Sequence, residues 1–250
     1  MSDRDTWLPQ LTDIPMALGL LTRIPITVDT AKAQERGAAH AWAYPLVGVI
    51  LGCISMLIGW LAWTMGLGAM ATGFCIVALT AIVTGAMHED GLADTLDGLW
   101  GGWTPNQRLD IMKDSHIGVY GVVGLVTAIG IKAALWGHLV QDNLWPIIGV
   151  MAISRAAMLP IMAYLPNARK TGLSAQVGAP SVETAWLGMA VGGVVAIVSG
   201  AWAAILLVPL ITWGIAMVAR EKINGQTGDI LGATQYLAEI AALIAIVALS

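Results

Sequence analysis

Apolar runs of about 20 residues, parted by short polar loops, recur along most of the chain. That is the pattern of helices crossing a bilayer. The runs predict spans at 42–65, 70–87, 119–139, 144–165, 185–200, 202–219 and 233–249. The stretch 185–219 is too long for one crossing, and Ser199-Gly200 marks the turn between two. Residues 7–22 also carry apolar positions, but Asp13 and prolines at 9 and 15 interrupt them. An interfacial helix is expected there. The expected fold class is all-α: a polytopic integral membrane helical bundle of about seven transmembrane helices, plus an N-terminal interfacial helix. Without solenoid repeats or low-complexity linkers, a single membrane domain over residues 1–250 is the simplest organisation.

Composition points the same way. The chain is 57% hydrophobic and 11% charged, whereas soluble domains carry about 25% charged residues. Its mean hydropathy is +0.76. The net charge of −4 gives no reason to expect nucleic acid as a partner. The opening residues M-S-D-R-D-T-W lack a basic region followed by an apolar core, so no cleaved signal peptide is expected. Cys53 and Cys75 lie inside apolar runs and read as small core hydrophobes, not as a disulfide or metal pair. Most tryptophans stand near span ends, as in an aromatic belt.

Loop charge predicts orientation. Arg23, Lys32 and Arg36 precede the first span; Arg108 with Lys113, Arg169 with Lys170, and Arg220 with Lys222 fall in alternate later loops. The connections near 66–69, 140–143 and 199–202 contain no Lys or Arg. With seven spans every basic loop lies on one face, which the positive-inside rule makes cytoplasmic. The long polar loops near 88–118, 166–184 and 220–232 share that face. Any chemistry is therefore expected on cytoplasmic substrates, in a protein of a bacterial cytoplasmic (inner) membrane surrounded by membrane lipid.

The candidate chemistry sits just after the second span. Of 16 acidic residues, six (Glu89, Asp90, Asp94, Asp97, Asp110 and Asp114) fall between 88 and 118. If 90–99 is helical, Asp90, Asp94 and Asp97 lie within about 60° of one another, and Leu92, Leu96 and Leu99 fall on the other side. Three carboxylates on one face repel unless a cation sits among them. A solvated acidic face would not explain the Leu/Asp segregation, nor the glycines at 91, 98, 101 and 102, which suit close approach of a ligand. Oxygen-only ligands select a hard cation, Mg²⁺ or Mn²⁺. The candidate metal ligands are Asp90, Asp94, Asp97 and Glu89.

Such a cation beside basic side chains points to phosphate chemistry. Arg108 and Lys113 follow in the same loop, and mid-span Arg155 is a candidate anion anchor or acid partner. Lys132 can snorkel or pair with Glu239. Arg169 and Lys170 can meet phosphate or anionic lipid. In R-E-K-I-N-G-Q-T-G-D-I-L-G (220–232), Asn224-Gly225 signals a turn, while Thr227 and Asp229 offer a hydroxyl and a carboxylate. The ending of a P-loop is missing.

These segments resemble the cobalamin-5′-phosphate synthase (adenosylcobinamide-GDP ribazoletransferase) family. The resemblance lies in H-E-D-G-L-A-D-T-L-D-G-L (88–99), R-L-D-I-M-K-D-S-H-I-G-V-Y-G (108–121) and N-G-Q-T-G-D-I-L-G-A (224–233), and more loosely in L-T-R-I-P (21–25) and T-G-L-S (171–174). It implies a Mg²⁺-dependent membrane enzyme of late cobalamin synthesis. A ribose hydroxyl of α-ribazole, or of its 5′-phosphate, would attack the cobinamide-side phosphorus of adenosylcobinamide-GDP and release GMP. Asp97 or Asp94, with His88 and Asp114 behind them, are candidates to accept the hydroxyl proton. Arg108, Lys113, Arg155, Asn224, Thr227 and Asp229 are candidate substrate contacts. A homo-oligomer is compatible with the sequence. Two other readings compete. A CDP-alcohol phosphotransferase would be expected to carry a D-G-x-x-A-R pattern, whereas here Asp90-Gly91-Leu92-Ala93 is followed by Asp94 and not by an arginine. A cation transporter would want carboxylates near the bilayer midplane rather than at a span end.

Overall fold

The computed structural model describes residues 8–249. Position 7 of the expected interfacial helix, the opening M-S-D-R-D-T-W and the C-terminal residue 250 lie outside them. Thirteen α-helices make up the described chain: α1 Asp13–Leu21, α2 Thr30–Arg36, α3 Tyr44–Thr64, α4 Ala69–Thr84, α5 Met87–Gly101, α6 Pro105–Ile111, α7 Val119–Asp142, α8 Pro146–Ala156, α9 Met158–Tyr164, α10 Leu173–Val177, α11 Val182–Val198, α12 Ala204–Ile223 and α13 Gly228–Leu249. A 3₁₀ stretch, Gly37–Ala43, leads into α3.

The predicted spans are present as helices, with shifted ends. By length and apolarity five helical stretches can cross a membrane, and α4 with α5 makes a sixth candidate. Seven crossings were expected. The difference lies in α11, an apolar helix of 17 residues, and in α4–α5, which bends by 92°. Gly85 and Ala86, both left-handed, make that bend. It turns α5 across the end of the bundle instead of along it. The 185–219 stretch divides as expected, with Gly200 in a positive-φ turn between α11 and α12.

The bundle has a centre and a lipid-facing ring. The α8–α9 span is 83% buried and α13 78%, against 22% for α12 and 28% for α7. Small residues make the centre possible. A Cβ on Gly52 would stand 2.6 Å from the α8 backbone at Ile148, so α3 and α8 touch backbone to backbone. Trp136, Ile147, Val150, Met151 and Leu243 fill the core at the far end from α5. A second core, with Leu21, Tyr44, Val47, Met158 and Met162, lies under α1. The cysteines are not core residues: Cys53 is exposed on α3 and Cys75 half-buried on α4.

α1 rides on the second core in place of the expected longer helix. Its Asp13 is fully buried. The carboxylate accepts from Arg36 Nε at 2.8 Å, Arg36 Nη2 at 2.7 Å and Trp42 Nε1 at 2.7 Å. The polar residue that interrupts the 7–22 pattern thus pins α1 to the end of α2 and to the 3₁₀ stretch that leads into α3.

Candidate functional site

α5 forms where predicted, but of the expected three-carboxylate face only Asp90 and Asp94 stay together. Leu92 and Leu99 are buried in apolar clusters, Leu96 packs beside Leu92, and Asp90 is exposed. α13 crosses α5 at two glycines. A Cβ on Gly91 would stand 2.9 Å from the Asp229 carbonyl oxygen and 3.1 Å from Gly232 Cα. This close crossing brings Asp90 and Asp94 beside Asp229. Gly98 and Gly102 admit Arg108 and Met112 of the α6 segment. These glycines serve helix packing, not the ligand approach expected from sequence.

The four proposed metal ligands separate. Asp94 is half-buried; burial first, then the charges of Asp90 and Asp229, push its carboxyl up to about 7, with Arg169 opposing. Asp97 is turned to α7: its carboxylate accepts the Gly118 N–H at 2.7 Å and the Gly121 N–H at 2.9 Å. Both oxygens are occupied capping a helix N-terminus, where a negative charge is favoured. Glu89 is buried on the inner side of α5, within electrostatic reach of Arg155. Among the described residues, no three His, Cys, Asp or Glu side chains stand ready as a cage for one ion. Asp90 and Asp94 are the pair that fits a metal. Mg²⁺ is commonly held by one or two carboxylates plus substrate phosphates and water, and does not need a closed protein cage.

Loop 165–181 closes over this pair. Asn167 and Gln226 form a parallel bridge, with Ala168 N–H donating to Gln226 O and Gln226 N–H to Pro166 O, each at 2.8 Å. Ser174 Oγ reaches Asn167 Oδ1 and Gln226 Oε1, both at 2.8 Å. Arg169 donates to Asp229 Oδ2 at 3.0 Å and to Leu109 O at 2.9 Å, tying the loop to α13 and α6. Thr227 Oγ1 also donates to Asp229, at 3.2 Å. Sequence reading noted Arg169 for its charge alone and gave Asn167, Ser174 and Gln226 no role. Nothing in their types or spacing announces a pairing between two loops.

Beneath the loop is a cavity of about 260 Å³, lined by His88, Asp90, Asn167, Arg169, Ser174, Gln226, Thr227 and Asp229 and by apolar residues of α1, α3 and α9. His88 is buried, and neither ring nitrogen has a hydrogen-bond partner. Burial, reinforced by Arg155 and Lys132, keeps its imidazole well below the usual histidine range, so the ring is neutral. Next to the cavity, and sharing Arg169 and Thr171 with it, is an outer groove with Lys113, Lys170 and Asp110.

Other candidates stand elsewhere. Arg108 donates to the carbonyls of Gly102 at 3.0 Å and Lys222 at 2.9 Å, so it braces α5 against α12. Asn224 is the left-handed C-cap of α12. Asp114 is exposed and bonded to His116, 2.7 Å from its Nδ1. Arg155 is 1% exposed and does not line the cavity. It belongs to a buried polar group with Glu239, Gln235, Ser154 and Lys132. Lys132 Nζ stands 2.9 Å from Glu239 Oε1, an ion pair off the angle of a hydrogen bond, and 4.1 Å from the Tyr236 ring centroid. Gln235 Nε2 donates to Ser154 at 3.1 Å and to Glu239 at 2.9 Å.

Fold and site together define a polytopic helical membrane protein with a carboxylate-bearing cavity across one end of its bundle. The chain belongs to the cobalamin-5-phosphate synthase family, which it matches over residues 13–247. It is 38% identical over 253 aligned residues to the adenosylcobinamide-GDP ribazoletransferases of Brucella canis and Brucella suis, covering 94% of this chain and 96% of each relative. The ribazoletransferase of Brucella ovis is similar to the same extent. No solved structure matches the chain.

Proposed function

We propose that this chain is an adenosylcobinamide-GDP ribazoletransferase of a bacterial inner membrane, with its site on the cytoplasmic side. The observation that carries the reading is the pairing of exposed Asp90 with half-buried Asp94 beside Asp229 and Arg169, with Asp90, Asp229 and Arg169 lining a cavity formed by segments that resemble the family. A ribose hydroxyl of the acceptor forms a bond to the cobinamide-side phosphorus. The bond from that phosphorus to the bridging oxygen breaks, and GMP leaves with that oxygen.

Asp90 and Asp94 would hold Mg²⁺ together with substrate phosphates; bound there, the ion neutralises pyrophosphate charge and polarises the phosphorus. The chain's own residues do the rest. His88, neutral and unpartnered on the cavity wall, accepts a hydrogen bond from the acceptor hydroxyl and orients it, and the hydroxyl proton leaves with the departing GMP phosphate. Asp97 has both oxygens committed to α7 and is a positioning residue. Asp114 is too exposed and remote in its bonding to serve. Arg169 holds Asp229 and the loop in place, and Lys113 and Lys170 in the outer groove offer charge to the nucleotide phosphates.

The test is turnover in nanodiscs with adenosylcobinamide-GDP and α-ribazole, following GMP. Metal-dependent GMP release matched by a cobalamin product is the expected result. No product from a folded protein supplied with Mg²⁺ would overturn the reading. His88→Gln should lower kcat by about 10²-fold while leaving Mg²⁺ affinity unchanged.

A further inference from the structure

We infer that the inner cavity is the seat of the acceptor's base, and that the corrinoid donor reacts from outside it. This rests on the ribazoletransferase reading and adds where each substrate lies.

Size decides first. The cavity holds about 260 Å³, just under the roughly 300–1,000 Å³ of pockets that enclose drug-sized ligands. One nucleoside-sized acceptor is of that scale. A whole corrinoid–nucleotide donor is several times larger than this space. Size therefore leaves two nucleosides to consider, the acceptor and the donor's guanosine, and the apolar lining favours the acceptor, whose base is the less polar; the donor then presents its pyrophosphate at the cavity mouth.

Composition gives the acceptor's direction. The walls from α1, α3 and α9 are apolar and buried: Leu21, Tyr44, Met158 and Met162 belong to one core cluster. The wall from α5 carries His88 and Asp90. The loop and the start of α13 add a second polar wall, with Asn167, Arg169, Gln226 and Asp229. A cavity apolar on the α1, α3 and α9 side and polar on the other fits a nucleoside whose base is an apolar fused bicycle and whose sugar is rich in hydroxyls. Methionine suits such a base, because its flexible thioether makes favourable contacts with aromatic edges. With the base against Met158 and Met162, the ribose faces His88 and Asp90, where a hydroxyl can be oriented to meet the phosphorus.

The experiment measures equilibrium binding of α-ribazole to the full chain in nanodiscs, without donor, and of adenosylcobinamide-GDP separately. Met162→Trp fills the cavity. It should weaken α-ribazole binding about tenfold or more and leave donor affinity within about twofold. Unchanged α-ribazole affinity, or loss of donor affinity alone, would overturn the inference. If the variant binds neither, Met162→Ala decides, since it enlarges the cavity. It should raise kcat/KM for a nucleoside with a larger, naphtho-fused base about tenfold relative to α-ribazole. An unchanged ratio would sink the idea. Failure of the activity reading shows itself separately, as a wild-type protein that releases no GMP; failure of this inference leaves wild-type turnover intact.

Discussion

Asp94 and Asp97 differ by three positions and do different work. Asp94 stands among like charges and is pushed up to about 7 by burial, Asp90 and Asp229. Asp97 satisfies two N–H groups of α7. Asp94→Asn should cut GMP release at fixed Mg²⁺ by at least the roughly 10–100-fold that outer-shell changes cost metal sites, with a melting temperature in EDTA near pH 7 no lower than that of the wild type. Asp97→Asn should chiefly lower the melting temperature, by a stability loss of about 1–3 kcal/mol. Near pH 7, protons and Mg²⁺ compete for Asp94. At limiting Mg²⁺, activity should fall as pH drops through about 7 and recover as Mg²⁺ is raised. Without metal, the folded chain holds this proton more tightly than the unfolded chain does. Stability in EDTA should therefore decline as pH rises from the ordinary carboxylate range to about 7, and added Mg²⁺ should reverse the decline. Helical spacing made the acids legible as a set. It could not reveal that Gly118 and Gly121, in another helix, would claim one of them.

The helices themselves were legible because their signal is local. Apolar runs and the Ser199-Gly200 turn sufficed for α3, α7 and α11 to α13. The bend between α4 and α5 was less so: Gly85 is an obvious break, but the 92° angle comes from packing α5 onto α13. The same packing reassigns the motif glycines. Gly91→Val should force α5 off α13, since even a Cβ there lies 2.9 Å from backbone oxygen. Activity should fall about 10²-fold, the scale of a 1 Å misplacement of reacting groups. Circular dichroism should show the helices retained. The closing loop was the least legible element, because the Asn167–Gln226 bridge joins strands of chain with no shared pattern.

At the scale of the whole molecule, a bundle with an apolar ring keeps a charged group at its centre. Lys132 and Glu239 are 2% and 1% exposed. Lys132→Met alone should destabilise the bundle by about 3–5 kcal/mol, because it strands a buried acid. Adding Glu239→Leu should recover much of that loss, as thermal unfolding in detergent would show. Sequence offered the pair as one of two fates for Lys132, the other being to snorkel; its Tyr236, Gln235 and Ser154 neighbours were not legible, since nothing in sequence says which faces of α7, α8 and α13 meet. The same ion pair also bears on biogenesis. Lys132 enters the bilayer with α7, while its acid arrives only with α13, after every other described helix has been made. An intramembrane lysine costs about 2.5–3.5 kcal/mol on insertion scales. The nascent bundle must carry that burden until α13 is made, because the ion pair cannot form before α13 packs against α7. A chain stopped after α12 should insert but be cleared rapidly by membrane proteases, and pulse-chase of such truncations in cells would measure it.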